Sequence, residues 1–396
     1  IFAALALGLV VALRERDKAR TAEAKAETVR RFLIDDLLLA ATPEVSRGRE
    51  LTVREVLNLA EGRVSEALSE EPELELGVRG VLADAQLMIG DLEAAERELD
   101  RESKLLSVAS GVARNDHELR VVKLLLARSN FKEALSTLKK LERRAGSESA
   151  SALQRAQMLL FRGRAEEGLG QFAKAEASYR AAQTASRLEP AGERIEVETL
   201  ARLSTLFAME RRDLESEAAA NEFVGKVAAV YGEGHPMQVL GLARRSMALR
   251  RLQRAPEAEA AARSAVELAR RVLPHGHEFD LEATRAWIQS LRDLRQFDAA
   301  RREAEELLSR ARSARGPESV AAASAEELRG ILHAFDREYE MAGALYAHAL
   351  AILRAELGEV HPTTVRVRRN IVALLRREGK AREARAASER LVELAR

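Results

Sequence analysis

The feature that most restricts what this chain can fold into is a period. A small residue three positions after an aromatic or apolar one recurs at Leu92/Ala95, Phe131/Ala134, Phe172/Ala175, Ala255/Ala258, Phe297/Ala300, Tyr339/Ala342 and Ala381/Ala384. An eighth copy, aligned on Leu214, puts Glu217 in the small position and Ala218 beside it. Successive anchors are then 39, 41, 42, 41, 42, 42 and 42 residues apart. A period of this length held over eight copies specifies a solenoid of one supersecondary unit, each copy packing only on its neighbours. The turns between units keep the same period, with Gly232-Glu233-Gly234-His235-Pro236, Gly276-His277, Gly316-Pro317 and Gly358-Glu359-Val360-His361-Pro362. A glycine such as Gly232 or Gly358 can take the left-handed conformation that ends a helix. Pro236 or Pro362 suits the first turn of the next, where no N–H is needed. Each unit therefore reads as helix, short turn, helix, long turn.

Composition supports helices throughout. The chain favours Ala, Leu, Arg and Glu, with 8 Pro, 10 Phe and a single Trp, Trp287; the favoured residues are good helix formers. Few β-branched runs alternate with period two, so no sheet is expected. The 64 basic and 63 acidic residues leave a net charge of +1, which supplies no global field for nucleic acid. With no cysteine, disulfides, thiolate nucleophiles and thiolate metal sites are excluded.

Candidate chemistry is sparse. Of the seven histidines, His117, His235, His275, His277, His333, His348 and His361, one close pair exists, His275-x-His277, and no third ligand stands at a recognisable spacing. The histidines read instead as turn residues capping helix ends. Neither a Gly-x-x-x-x-Gly-Lys-Ser/Thr phosphate loop nor a Gly-x-Ser-x-Gly elbow occurs. Carboxylates on helices rich in both signs read as solvated faces paired three or four residues away. No catalysis and no cofactor is expected of this chain.

At the N-terminal end, Ile1 to Leu13 carries no charge and is followed by Arg14, Arg16, Lys18 and Arg20. Thirteen helical residues cover about 20 Å of a bilayer core of roughly 30 Å. Residues 1–13 are therefore expected to be the C-terminal part of a single-pass transmembrane helix. Its orientation stays open, because Glu15 and Asp17 interrupt the basic flank. Ala22, Ala26, Val29, Leu33 and Leu37 share one helical face, so residues 14–41 are expected to form a juxtamembrane stalk helix. That helix could seam two copies into a homodimer, or fold back on the first repeats through Phe32, Leu33, Leu37 and Leu38. Thr42-Pro43 breaks it. Residues 42–73 read as an N-terminal capping segment whose helix opens with a Thr52/Glu55 capping box, and residues 74–396 as the eight-unit array. The expectation is one elongated domain with an N-terminal appendage.

Gly163 and Ala175, with Gly170-Gln171-Phe172 between them, resemble the small-residue positions of a tetratricopeptide repeat, as do Asn370 to Leu375 followed by Gly379-Lys380-Ala381 and Ala384. The 42-residue period and the Gly-x-x-His-Pro turns resemble the longer repeats of kinesin light chains. This resemblance covers about Leu74 to Arg396. It implies an all-α solenoid, a right-handed superhelix of helical hairpins. Gly163, Ala175 and Ala258 would let paired helices approach, while Phe131, Phe172, Phe297 and Tyr339 fill the space between them. It also implies a peptide-binding groove lined by the first helix of each unit, about 15, 11, 8 and 7 residues before the anchor. Those positions are Ala243, Met247, Arg250 and Arg251 in the fifth unit, Arg285, Gln289, Arg292 and Asp293 in the sixth, and Arg369, Ala373, Arg376 and Arg377 in the eighth. Guanidiniums there would favour an acidic peptide or a C-terminal carboxylate; the alternative is that they are ordinary solvated residues of an Arg-rich protein. The groove Asn that completes a carboxylate clamp in some family members is Ala373 here, so that clamp is not carried over.

A second resemblance concerns the N-terminal third. The half-span, the charged stalk, Phe32-Leu33-Ile34-Asp35-Asp36-Leu37-Leu38 and Gly48-Arg49-Glu50-Leu51-Thr52-Val53-Arg54-Glu55-Val56-Leu57 resemble the region beyond the kinase domain of bacterial transmembrane serine/threonine protein kinases. That resemblance implies a protein- or peptide-binding sensor or scaffold, with kinase motifs upstream of Ile1 and the array on the far side of the membrane. The other contexts are a membrane-anchored scaffold without an enzyme, and the regulatory array of a signalling ATPase.

Overall fold

The computed structural model describes residues 51–145, 150–274 and 276–394. The expected half-span at 1–13, the stalk at 14–41, the first residues of the capping segment, and His275 of the histidine pair lie outside the described residues. Among the described residues there are seventeen α-helices, one short 3-10 turn at Pro190–Gly192 and no strand. The helices are α1 Val53–Ala67, α2 Pro72–Met88, α3 Leu92–Lys104, α4 Gly111–Ala127, α5 Phe131–Ala145, α6 Ala152–Gly168, α7 Phe172–Ser186, α8 Glu193–Met209 and α9 Asp213–Tyr231. They continue as α10 Pro236–Arg251, α11 Ala255–Val272, α12 Glu278–Asp293, α13 Phe297–Arg315, α14 Val320–Phe335, α15 Tyr339–Leu357, α16 Pro362–Arg377 and α17 Ala381–Glu393. The chain divides into two compact units between Ile195 and Glu196. No helix among the described residues is long and apolar enough to cross a membrane.

After α1 the helices come in pairs, and three residues join the two members of every pair. The middle residue of each connector is left-handed: Gly90, Ser129, Gly170, Arg211, Gln253, Arg295, Arg337 and Gly379 have φ between 60° and 77°. Five residues after each of them comes the buried small residue. In the fourth pair this identifies Ser216, which is 1% exposed and whose hydroxyl donates to the Ser204 carbonyl at 3.0 Å. The sequence alignment on Leu214 is therefore one residue out. Glu217 does not occupy the small slot; its carboxylate pairs with Arg245 at 2.8 Å.

Between pairs, Gly232, Gly316 and Gly358 end α9, α13 and α15 with φ of 91°, 89° and 86° but ψ of 160°, 160° and 172°. This is extended backbone on the positive-φ side, open essentially to glycine, and not the left-handed helical cap expected from the sequence. The following helices start as expected, with Pro236 and Pro362 in their first turns. His235, His277 and His361 are the N-caps. Their Nδ1 atoms accept from the amides of Met237, Phe279 and Thr363 at 3.3, 3.1 and 3.2 Å, satisfying one of the orphan donors that every helix start leaves. The Thr52/Glu55 capping box at the start of α1 is formed in both directions.

Close approach within a pair follows the glycines. A Cβ on Gly163 would lie 2.5 Å from the Tyr179 ring, and one on Gly330 2.6 Å from the Tyr346 ring. Tyr179, Phe223 and Tyr346 are the aromatics no more than 2% exposed, each contributing about 2 to 3 kcal/mol by leaving water. Phe131, Phe172, Phe297 and Tyr339, which the family resemblance assigns to the space between helices, are only half-buried. They sit at the first position of their helices, and where their partners are seen these lie in the following pair, Phe131 against Gly168 and Phe297 against Phe335.

Candidate functional site

In the second unit, α12, α14 and α16 are the first helices of three successive pairs, so residues about one period apart face one another. Arg285 on α12 donates through Nη2 to the carboxylate of Glu327 on α14 at 3.0 Å. From α16, Arg366 donates to the same carboxylate through Nε at 2.9 and 3.1 Å and Nη2 at 2.9 Å, and Asn370 through Nδ2 at 2.8 Å. Glu327 is fully buried. Burial alone would push its pKa up, but the Arg285 charge and the hydrogen bonds and charge of Arg366 outweigh it and hold the carboxyl below its ordinary range. Burial lowers Arg285 in turn, opposed by Glu327. Nη1 of Arg285 is buried without a hydrogen-bond partner.

Above this clasp lies a cavity of about 250 Å³. Phe335 stands exposed at its rim with two guanidiniums against its ring, the Arg292 Cζ 5.1 Å and the Arg377 Cζ 4.9 Å from the centroid. Such contacts hold an aromatic and a cation together in water. Tyr346 lies beneath, its phenol pushed up by burial and by the Glu327 charge, so the hydroxyl stays protonated. Four arginines, Arg285, Arg292, Arg366 and Arg377, line the cavity with the one carboxylate of Glu327, and Arg292 also pairs with the neighbouring Asp293 at 3.1 Å. The arrangement suits a ligand bearing negative charge.

Of the groove residues expected from the sequence, the structure brings Arg285, Gln289, Arg292, Ala373 and Arg377 to this cavity. Arg250 reaches towards it from α10. Its Nε donates to Asp293 at 2.7 Å, another of its nitrogens donates to Gln289, and burial lowers its pKa against the pull of Asp293. Arg251 is engaged elsewhere, donating to the Ala208 carbonyl at 3.0 Å and to Asp213 at 3.2 Å. Buried Ala243 belongs to the core around Val239 and Ala262, with Met247 packed against that core. Arg369 is exposed, and Arg376 lines a separate crevice between α16 and α17 beside Ala384 and Ser388.

Glu327, Phe335, Arg366 and Asn370 are the members that the sequence reading misses. A signal existed for the first two. Glu327, Ile331, Ala334 and Phe335 stand 15, 11, 8 and 7 residues before Ala342, the offsets already used for the sixth and eighth units. Among the described residues no group of three or more His, Asp or Glu could hold a metal ion.

The tetratricopeptide repeat family profile matches residues 322–396, which take in α14 from Ala322 onward, all of α16 and hence most of the cavity. No curated protein matches the chain by sequence. Among solved structures, the apo form of RapI aligns with a TM-score of 0.65 at 11% identity, covering 94% of this chain and 97% of that one. The apo quorum sensor NprR from B. thuringiensis aligns at 0.65 and 13%, covering 95% and 99%; NprR in complex with its cognate peptide NprX aligns at 0.52 and 10%, covering 80% and 88%. The signal transduction ATPase PH0952 from Pyrococcus horikoshii, which carries a tetratricopeptide repeat sensor, aligns at 0.60 and 13%, covering 84% of this chain and 53% of that one. At these identities the likeness is one of fold. Residues 322–396 thus match the tetratricopeptide repeat by sequence, and the described residues share the fold of these solved structures.

Proposed function

We propose that this chain is a protein-binding sensor or scaffold that takes an acidic peptide segment of its partner in the cavity over α12, α14 and α16. The observation that carries this reading is the set of four arginines against one carboxylate around an exposed, guanidinium-flanked Phe335. Arg292 and Arg377, set against the Phe335 ring, offer guanidinium nitrogens for charge-assisted bonds to a carboxylate, Arg292 in exchange for its contact with Asp293 at 3.1 Å. Arg285 and Arg366 are already engaged by Glu327. The fold is shared with NprR, whose complex with its cognate peptide is known; for the present chain a peptide ligand rests on the cavity's own chemistry. A fluorescent Asp/Glu-rich peptide series tests it by anisotropy. Binding should weaken at least tenfold with Arg292→Glu and Arg377→Glu together, and fall as salt rises. Equal affinity in that variant and in an Arg369→Glu, Arg376→Glu pair would move the site elsewhere.

The wider setting we propose is that of a membrane-tethered receptor, the array serving a bacterial serine/threonine kinase whose proximity it controls. The uncharged run Ile1 to Leu13 and its basic flank support a tether. Sequencing upstream of Ile1 separates the settings. His-Arg-Asp and Asp-Phe-Gly motifs before a completed span mean a receptor kinase, a start codon just before the span means an anchored scaffold, and a phosphate loop means a signalling ATPase.

A further inference from the structure

The last two residues of each first helix in the final four pairs are Arg250 and Arg251, Arg292 and Asp293, Ala334 and Phe335, and Arg376 and Arg377. Arginine suits that place, because the C-terminal turn of a helix carries partial negative charge. Asp293 is the one carboxylate in the row, and the end of its own helix disfavours it. Two guanidiniums hold it there. Oδ2 accepts from Nε of Arg250 on the preceding pair at 2.7 Å, with Nη2 of the same residue also at 2.7 Å. Oδ1 accepts from Arg292 of its own helix, from Nη2 at 3.1 Å and Nε at 3.4 Å.

Each oxygen of Asp293 thus meets the forked Nε–Nη2 edge of one arginine, an edge with which a guanidinium grips a carboxylate through two parallel bonds. For Arg292 that edge is also one a bound acidic peptide would use, since Arg292 lines the cavity with its Cζ 5.1 Å from the Phe335 ring. Arg377 stands against the same ring, donates to the Ala334 carbonyl at 3.4 Å, and pairs with no carboxylate among the described residues. The two guanidiniums around Phe335 therefore differ. One is open to a carboxylate, and the other already holds one.

We infer that Asp293 is a built-in competitor for the acidic ligand, holding the Arg292 edge until a second carboxylate of the ligand displaces it. This rests on the acidic-peptide reading above and adds a threshold to it: a first carboxylate goes to Arg377 unopposed, and a second must take Arg292 from Asp293. The exchange strands no charge. Asp293 keeps Arg250 throughout, and its side chain is 31% exposed, so the oxygen released by Arg292 can turn to water. A ligand with one acidic residue does not call on the exchange, whereas a ligand with a pair of them does. The site thereby selects for peptides whose acidic residues are clustered, and Asp293 sets how strongly.

Anisotropy titrations of the full chain with two fluorescent peptides test this, one bearing a pair of Glu residues and the other a single Glu with Gln in place of the second. Asp293→Asn should bind the paired-Glu peptide about fivefold tighter than the parent does, the worth of one partly exposed ion pair, and should leave the single-Glu peptide within about twofold. Asp293→Glu should stay near the parent with both, because a carboxylate still reaches Arg292. Unchanged or weaker binding of the paired-Glu peptide to Asp293→Asn would overturn the inference, as would equal tightening of both peptides. Should that variant unfold, Asp293→Asn combined with Arg250→Met strands no guanidinium and is read in the same way. Failure of the acidic-peptide reading looks different. It would leave both affinities unmoved by Arg292→Glu with Arg377→Glu, whereas the competitor role alone fails if that pair weakens binding and Asp293→Asn does not strengthen it.

Discussion

Arg285 and Glu327 stand 42 residues apart in sequence and 3.0 Å apart in space. That pair is one arm of a clasp in which a single buried carboxylate takes donors from the helix pair before it and the pair after it. Removing one member of a buried ion pair strands the other, typically at 3 to 5 kcal/mol. Glu327→Gln should therefore lower the stability of the second unit by about 3 kcal/mol, read from urea unfolding. Adding Arg285→Met should recover part of the loss. Unchanged unfolding in the single variant would mean the clasp is not holding the three pairs together.

The glycines divide by what faces them. Gly163→Ala and Gly330→Ala drive a methyl into the rings of Tyr179 and Tyr346 and should each destabilise by about 1 to 3 kcal/mol. Gly225, inside α9 with nothing within 4 Å of a built Cβ, should respond the opposite way, Gly225→Ala gaining about 0.5 to 1 kcal/mol. Thermal unfolding of the three variants checks both signs together.

The left-handed connectors offer another stabilisation. Gln253 and Arg295 hold φ of 60°, a conformation that disfavours a side chain by about 1 to 2 kcal/mol. Gln253→Gly or Arg295→Gly should raise stability by about 1 kcal/mol, somewhat less than that strain because glycine loses more entropy on folding. Gly379→Ala, at φ of 77°, should lower it by a similar amount. Urea midpoints of the three variants, measured side by side, check the ordering.

A pH dependence follows from His348, whose ring nitrogen lies 2.6 Å from the buried carboxylate of Glu326. The hydrogen bond to Glu326 raises the histidine above its ordinary value. A raised folded-state pKa gives stabilisation that is complete below the unfolded value of about 6.5 and is lost as pH rises through the folded one. His348→Gln should accordingly be less stable than the parent at pH 6 and equal to it at pH 9. A difference that stays constant with pH would show that packing, not charge, is involved.

How far the sequence foretells this molecule can be judged at two residues, Ser216 and Glu327. The anchors Ala258, Ala300, Ala342 and Ala384 are legible because an alanine recurring every 42 residues marks one packing slot used again and again. Ser216 is not, since a serine beside Leu214 and Glu217 looks like surface, and only the left-handed Arg211 five residues earlier gives its register away. Similarly, Arg285, Arg292 and Arg377 follow from their offsets within the repeat. Glu327 falls at the same offset in the seventh unit, but nothing in its neighbourhood along the chain accounts for a fully buried carboxylate. Its stability depends on guanidiniums delivered from 42 residues before and 39 after, a fact of tertiary structure. The two-unit division is likewise silent in a period that passes through residue 195 unbroken.

The three-residue connectors have a consequence for how this protein can change. All eight have one length, whereas the links from one pair to the next run from four to six residues. A connector whose middle residue must be left-handed cannot absorb an insertion without rotating everything after it. The six-residue links at 105–110 and 187–192 hold no residue of positive φ. Variation in length, a grafted fluorophore or a whole inserted module should therefore be accommodated at 105–110 or 187–192 and rejected at 252–254 or 294–296, so that the chain has one permissive seam and one forbidden one.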